Sequence, residues 1–267
     1  MIRASIWTAA IGMFSVVSAV PAAAQDMMRH IDLTSPEMTS AEMTRADVEA
    51  VIAAATSDQP ADFTGKKLSG LDLSGLDLSG ALLRAARLNR TKLNNAKLDR
   101  AILDQAWLLG ADLSRASLMG ANIFAAQMQR AKLDGADLSG ARIAADLTGA
   151  SLVGALLIGA NLSADMKNQS MGLMRAVLKS ANLERAILRD ADLSRVDLEF
   201  ANLTNADLTD ASLRGAALGG ANLTGVTIAG TDFFAADLVS ARLVAPIGLE
   251  AAKNFDKAQN VQRLLRE

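Results

Sequence analysis

A five-residue period limits the fold of this chain more than any other feature of its sequence. From Phe63 to Leu243 a large apolar residue recurs at nearly every fifth position, and we call these 36 positions centres. The residue two positions before a centre is alanine in 28 of the 36 cases. Neither the period of a helix, about 3.6 residues, nor that of a strand, about 2 residues, matches this pattern. The repeat therefore predicts a solenoid and not a globular fold.

The same spacing predicts the shape of each turn. A β-arc of five residues points two side chains inward, so the centre and its alanine form the inward pair. Four arcs close a square coil of about twenty residues, and successive coils hydrogen-bond at about 4.8 Å. Only 3% of the residues are aromatic, which fits such a narrow core. Fifteen of the 19 glycines stand two residues after a centre, where a type II turn requires a positive φ.

The repeat contains two irregularities. The step from Ile143 to Leu147 is one residue short, and the stretch 163–170 has one residue too many. We expect the two changes to cancel, so that the second half of the chain keeps the faces of the first half. A small bulge is expected from Asp165 to Gln169, beside Met166.

Two five-residue units show the motif most plainly, 111–115 (ADLSR) and 201–205 (ANLTN). They resemble the unit of the pentapeptide-repeat family, A-(D/N)-L-x-x, and the resemblance extends over residues 61–245. It implies an all-β solenoid, a right-handed quadrilateral β-helix, for which this length gives about nine coils. The resemblance also implies a bacterial source.

The chain begins with the pattern of an export signal. A basic start and an apolar run are followed by Ala22–Ala24, a small-residue cleavage signal. We therefore expect residues 1–24 to form a signal peptide that is cleaved after Ala24. The mature protein would then have no membrane span and would be periplasmic or secreted.

A capping helix is expected at each end of the β-helix, because an open end exposes leucines and unpaired strand edges. Residues 25–60 would form a tail and a helix that begins at a capping box in 39–42 (TSAE). Apolar residues recur at helical spacing over 246–267, which predicts a C-terminal helix. Known relatives in the resembled family often dimerise through their C-terminal ends, so the resemblance leaves open a homodimer through this helix.

Outward residues twenty positions apart should stack in columns. Charges alternate along the first column, which avoids like-charge repulsion between adjacent strands: Asp72, Lys92, Asp112 and Lys132. The second column is mostly asparagine, provided that the register survives both irregularities: Asn122, Arg142, Asn161, Asn182, Asn202 and Asn222. Both columns are interpreted as structural.

Two groups of outward residues are candidate binding surfaces. The first is a candidate apolar patch of five residues, whose composition is typical of protein-binding surfaces: Leu82, Ile102, Trp107, Leu109 and Phe124. The alternative is that a terminal helix folds over this patch. The basic girdle places six cations against Asp99 alone in one coil: Arg84, Arg87, Arg90, Lys92, Lys97 and Arg100. On an exported protein such a girdle favours anionic envelope components. The alternative interpretation is a solvated face.

The composition argues against catalytic and metal chemistry. The chain has no cysteine, and its one histidine, His30, lies in the N-terminal tail, so neither a zinc site nor a Ser-His-Asp triad is expected. The net charge of −2 gives no bulk attraction to nucleic acid, and the girdle lacks interleaved aromatic residues.

We therefore predict a non-catalytic protein without a cofactor, which serves as a rigid scaffold for a protein or an envelope component. The alternative is a DNA-mimicking regulator of a topoisomerase such as gyrase. The resemblance implies that relatives of that kind are cytosolic and acidic.

Overall fold

The inward residues of the repeat form one continuous core. The computed structural model describes residues 32–165 and 174–267, and within these ranges every centre is at most 5% exposed. The alanines two positions before the centres are equally buried; Ala101 and Leu103, for example, are both fully buried. The predicted inward pair is therefore confirmed. The signal peptide, His30 and Met166 lie outside the described residues.

Each side of a coil ends in a tight turn. In the first turn the Lys66 N–H donates to the Phe63 carbonyl at 3.0 Å, and the same bond recurs along the chain. The second central residue of the turn has a positive φ, as predicted. Glycine is not required there, because Arg115 and Ala125 adopt φ values of 58° and 55°.

Successive coils pair through parallel β-bridges, most of which join residues twenty positions apart. Two segments are long enough to form named strands, β1 (Asn122–Gln127) and β2 (Arg142–Asp146), which pair in parallel. The predicted alternation of charge is confirmed by bridges along one column: Asp72, Lys92, Asp112 and Lys132.

The register of the second half differs from the prediction. Asp146 pairs with Val177 and Ser151 pairs with Asn182, so the spacing rises from 19 residues at the coil before to 31 residues at this coil. Eleven more residues than one side requires lie between Asn161 and Val177. The expectation that the two irregularities cancel is wrong.

The predicted asparagine column is consequently split between two faces. Asn122, Arg142 and Asn161 stack as expected, but the next residue in that column is Asp192. The remaining asparagines continue the charged column beyond Ser151: Asn182, Asn202 and Asn222.

The chain departs from the coil and rejoins it at a defined point. The Asp165 N–H donates to the Met174 carbonyl at 2.8 Å, and the Ala176 N–H donates to the Leu162 carbonyl at 3.3 Å. These bonds close the stack across the extra residues. Residues 166–169, which make up most of the predicted bulge, lie outside the described residues.

Two helices precede the first coil, α1 (Pro36–Thr39) and α2 (Arg45–Ala54). The helix predicted before the repeat is present as α2, and its Val48 is fully buried in the core. The capping box is formed by Thr44 and Asp47 and not by residues 39–42. The predicted position is wrong because part of that stretch pairs with the first coil, where Ala41 bridges Leu68.

The last 22 residues do not form an α-helix, so that prediction is wrong. They form one more coil, in which each side contains six residues. Three 3₁₀ turns lie in this coil: Leu249–Ala251, Phe255–Lys257 and Val261–Arg263. This coil bridges to the one before it at four outward residues: Ile247, Lys253, Gln259 and Leu265. The physical cause is a left-handed residue before each turn: Gly248, Asn254 and Asn260.

Candidate functional site

The five residues of the candidate apolar patch lie on neighbouring coils, all of them only partly exposed. Leu82 bridges Ile102, and Phe124 follows on the next coil of the same face. Trp107 is on the adjacent face, bridged to Arg87 and Gln127. The structure thus brings the patch together, but half-buried within the coil surface. Its role in binding a partner stays a prediction.

Helix α1 lies against the coil beside this patch. The Asn89 side-chain amide donates to the Met38 carbonyl at 3.0 Å, and its oxygen accepts the Leu109 N–H at 3.0 Å. Asn89 and Met38 are 7% and 5% exposed. A terminal helix therefore covers the surface next to Leu109.

Four of the six girdle cations are paired with carboxylates. Three pairs join residues of adjacent coils, and the fourth reaches α1: Arg84–Asp104 at 3.8 Å, Lys92–Asp72 at 3.4 Å, Lys97–Asp77 at 3.8 Å and Arg87–Glu37 at 3.4 Å. The girdle is therefore less positive than its sequence suggests. Because these pairs are exposed to solvent, which screens the charges, they contribute little to stability.

Serine hydroxyls hold two of these carboxylates in their charged form. Ser74 Oγ donates to Asp72 at 2.5 Å, and this bond lowers the pKa of Asp72 together with the Ser74 backbone N–H. The same side-chain and backbone bonds from Ser79 lower the pKa of Asp77. Both carboxylates consequently stay ionised opposite the girdle lysines at neutral pH.

The remaining two girdle cations, Arg90 and Arg100, belong to a different structural class. Both occupy turn positions with φ values of 57° and 56°, and among the described residues neither has a carboxylate partner. Three further arginines share these features, and we call the five corner arginines: Arg90, Arg100, Arg115, Arg130 and Arg195. A glycine occupies the same corner one coil on, and its missing Cβ leaves room for the arginine stem.

Sequence reasoning placed Arg90 and Arg100 in the girdle but did not identify the corner arginines as a class, although the sequence contains their signal. An arginine two residues after a centre is followed by glycine at the same turn of the next coil, as in Arg115 and Gly135. Sequence reasoning also missed the exposed large apolar side chains, most of which lie in the second half of the chain: Met119, Ile158, Phe200, Phe234, Ile247 and Leu265.

One shallow groove of about 400 Å³ lies on the second half of the solenoid. Seven residues line it: Ser194, Arg195, Arg214, Gly215, Phe234, Ala235 and Gln259. Within residues 32–165 and 174–267, no group of histidine, cysteine and acidic side chains could hold a metal ion. No helix in the same described ranges is long and apolar enough to cross a membrane.

Comparison with known families agrees with the stacked coils. The family model for pentapeptide repeats matches eight copies, at residues 67–105, 98–140, 143–164, 173–210 and 211–244. The chain belongs to the pentapeptide-repeat family. Pentapeptide-repeat proteins fold as right-handed quadrilateral β-helices, and they are generally non-catalytic structural or binding proteins.

Several solved structures are similar to this pentapeptide-repeat protein. HetL, a protein involved in heterocyst differentiation regulation in the cyanobacterium Nostoc sp. strain PCC 7120, is 29% identical, with 82% of this chain and 95% of HetL covered and a TM-score of 0.35. QnrB1, a plasmid-mediated fluoroquinolone resistance protein, is 16% identical, with 75% and 92% covered and a TM-score of 0.41. A pentapeptide-repeat protein from the thylakoid lumen of Arabidopsis thaliana is 24% identical, with 50% and 68% covered and a TM-score of 0.23. No curated protein sequence matches the chain.

Proposed function

We propose that this pentapeptide-repeat protein is an exported, non-catalytic scaffold of about nine coils that binds a protein or a component of the cell envelope. The observation that carries the proposal is the position of Arg90 and Arg100. Both are exposed and free of carboxylate partners within the described chain, on the coil next to Trp107 and Ile102. Unpaired guanidinium groups beside apolar side chains are a composition that binding surfaces favour.

The backbone supports this role because it fixes the surface before any partner arrives. The Ile102 N–H donates to the Ala81 carbonyl of the coil before it at 2.9 Å, and the Leu103 N–H donates to the Asn122 carbonyl of the next coil at 2.8 Å. A surface held from both sides loses little backbone entropy on binding.

The binding surface is tested by replacing Arg90 and Arg100 together with glutamine. The purified variant and the wild type are crosslinked to envelope extracts and mixed with vesicles of anionic phospholipid. We expect the double variant to lose capture or sedimentation that the wild type shows. The matched control is Arg130→Gln, which removes a corner arginine farther along the stack that belongs to neither proposed binding site. Equal losses in both variants would contradict a specific surface.

Export is a separate part of the proposal and is tested by cell fractionation and N-terminal sequencing. A periplasmic product that begins at Gln25 supports cleavage after Ala24. An intact cytosolic product that begins at Met1 would contradict export. A gyrase supercoiling assay would then test regulation of a topoisomerase.

We also propose that the terminal segments cap the stack and that the last coil can pair with a second copy. Ile247 and Leu265 support the pairing, because both are more than half exposed on the final coil. Light scattering of the purified protein, compared with an Ile247→Lys variant, tests it. A wild type that is monomeric at all concentrations would contradict the homodimer.

A further inference from the structure

The groove on the second half of the solenoid is shaped by small residues on one corner. Arg195, Gly215 and Ala235 follow one another at this corner on successive coils, while Arg214 and Phe234 lie on the face beside it. Glycine and alanine leave the corner low between larger neighbours. The resulting volume of about 400 Å³ is at the lower end of the range for small-ligand sites.

One wall of the groove is a fixed apolar platform. The Arg214 guanidinium lies 4.5 Å from the centroid of the Phe234 ring, and its Nη1 is 2.8 Å from Asp232 Oδ2. Asp232 also accepts a hydrogen bond from Asn254 at 2.8 Å. Arg214 is therefore neutralised and held in place, and the Phe234 ring remains 43% exposed.

The corner side of the groove carries an unpaired positive charge. Arg195 is exposed, and its guanidinium has no carboxylate partner in the part of the chain that the structure describes. Asp197 does not serve this role, because it lies 3.5 Å from Nη2 of Arg175. Arg175 also donates to the Arg195 carbonyl at 3.2 Å. The Arg195 charge is thus available to a ligand.

A polar end completes the groove. The Gln259 backbone pairs with Ala236 and Leu238, whereas its side-chain amide makes no hydrogen bond to any described residue. An amide offers one acceptor and two donor hydrogens. The groove therefore combines a free cation, an exposed ring and a free amide.

We propose that this groove binds a carboxylated sugar, with the carboxylate on Arg195, the sugar ring against Phe234 and a hydroxyl on Gln259. An aryl carboxylate would contact Arg195 and Phe234 but would gain no hydrogen bond from the exposed Gln259 amide. A neutral sugar would leave the arginine unpaired. Only a hydroxyl-rich acid satisfies all three groups.

This inference does not depend on the proposed scaffold function, because the groove and the basic girdle lie on separate coils. The carboxylated sugar can be a free uronic acid or one residue of an anionic polysaccharide. The groove is open along the surface and accepts either source.

The probes are glucuronate, galacturonate, glucose, benzoate and polygalacturonate, titrated into the full chain and followed by calorimetry. We expect glucuronate to bind and glucose and benzoate to bind at least about tenfold more weakly, since one charged hydrogen bond is worth about that factor. Polygalacturonate that binds more tightly than free galacturonate identifies the polymer as the source, and equal affinity per residue identifies the free acid. Absence of glucuronate binding, or equal binding of benzoate, would overturn the proposal.

Variants test the assignment of each group. Arg195→Gln should weaken glucuronate binding by at least about tenfold, and Phe234→Ala as a separate variant should also weaken it. The matched control is Arg115→Gln, because Arg115 is a corner arginine with a glycine on the next coil that does not line this groove. If Arg115→Gln has the same effect, attraction is nonspecific and the proposal is wrong. Equal thermal midpoints of the three variants show that each is folded.

Discussion

The residue two positions before each centre shows how the stack selects side-chain size. In the middle of the chain this residue is alanine, as at Ala111, which is fully buried. In the first coil leucine replaces it at Leu71 and Leu76, and both pack against the core where helix α2 adjoins it. Among the described coils with other coils on both sides, the largest residue at this position is valine, at Val196 and Val226, whereas the first coil has a helix on one side and accommodates leucine.

This difference predicts the effect of enlarging an inward alanine. Ala111→Leu should lower the free energy of unfolding by about 1–3 kcal/mol, because overpacking displaces neighbouring side chains. Lys132→Leu adds an apolar side chain to an exposed position on the next coil, and it should change the free energy of unfolding by about 0.5 kcal/mol or less. Urea denaturation measures both. Similar values for the two variants would contradict a tightly packed square core.

Two glycines with similar backbone angles should differ in their tolerance of a methyl group. A Cβ on Gly248 would lie 2.7 Å from Ala229 Cβ and 3.0 Å from the Ala229 backbone, whereas a Cβ on Gly140 would meet nothing within 4 Å. Both residues have a positive φ, so each alanine variant pays a similar conformational cost. We expect Gly248→Ala to be less stable than Gly140→Ala by about 1–3 kcal/mol in urea denaturation. Equal stability would show that the last coil can move away from Ala229.

At the scale of elements, the N-terminal segment is attached by charges as well as by apolar contacts. Glu37 of α1 lies 2.6 Å from Lys67 Nζ and 3.4 Å from Arg87 Nη1. The Lys67 hydrogen bond, with the charges of Lys67 and Arg87, lowers the pKa of Glu37. A carboxyl group whose pKa is lower in the folded state stabilises the fold above its unfolded pKa. That contribution is lost as the pH falls through the folded pKa.

The attachment of α1 should therefore weaken in acid, below about pH 4.3, the ordinary pKa of glutamate. Limited proteolysis within residues 32–60 should be faster there than at neutral pH. Glu37→Gln should give faster cleavage already at neutral pH and a smaller further increase in acid. Glu250→Gln removes an exposed carboxylate that has no ion pair within the described chain and serves as the control. A Glu37→Gln profile identical to that of the wild type would show that the charge does not hold α1.

The ends of the stack also show what the sequence could predict about its elements. The helix before the first coil was predictable from its apolar spacing, but its capping box was displaced because Ala41 bridges Leu68. The last 22 residues have apolar residues at a constant spacing of three, whereas a helix alternates between three and four. Glycine or asparagine at every sixth residue, from Gly248 to Asn260, is the signal for six-residue sides.

For the candidate sites, the sequence predicted which residues stack but not which charges remain free. Leu82 and Ile102 pair as the period requires. The pairing of Arg87 with Glu37 was not predictable, because it depends on where α1 packs. The groove was not predictable either, because Gln259 reaches it only through the six-residue sides of the last coil, where it pairs with Asp237.

At the scale of the whole molecule, each coil bonds only to its neighbours, so stability should depend on the completeness of the stack. The last coil provides carbonyl acceptors for six N–H groups: those of Ile228, Gly230, Phe233, Ala235, Leu238 and Leu243. It also places the Phe255 ring 5.2 Å from that of Phe233. Its own turns bond internally, as when the Ala252 N–H donates to Leu249, which leaves fewer free groups at the end.

Removal of residues 246–267 should therefore cause association. The truncated chain exposes Leu243 and an unpaired strand edge, which can pair with another copy. We expect size-exclusion chromatography with light scattering to show species larger than those of the full chain. A chain that lacks only Arg266 and Glu267 is the control and should behave like the full chain. If both chains elute alike, the last coil does not protect the end.

The neighbour-only bonding of the coils has a consequence for how such a gene can change. A duplication or loss of the segment that encodes one coil would alter the length of the protein while both end segments kept their own bonding partners. The number of coils can therefore change during evolution without simultaneous changes in the two end segments. The final coil, with one additional residue in each side, ends the five-residue repeat in the same way whatever the number of coils before it.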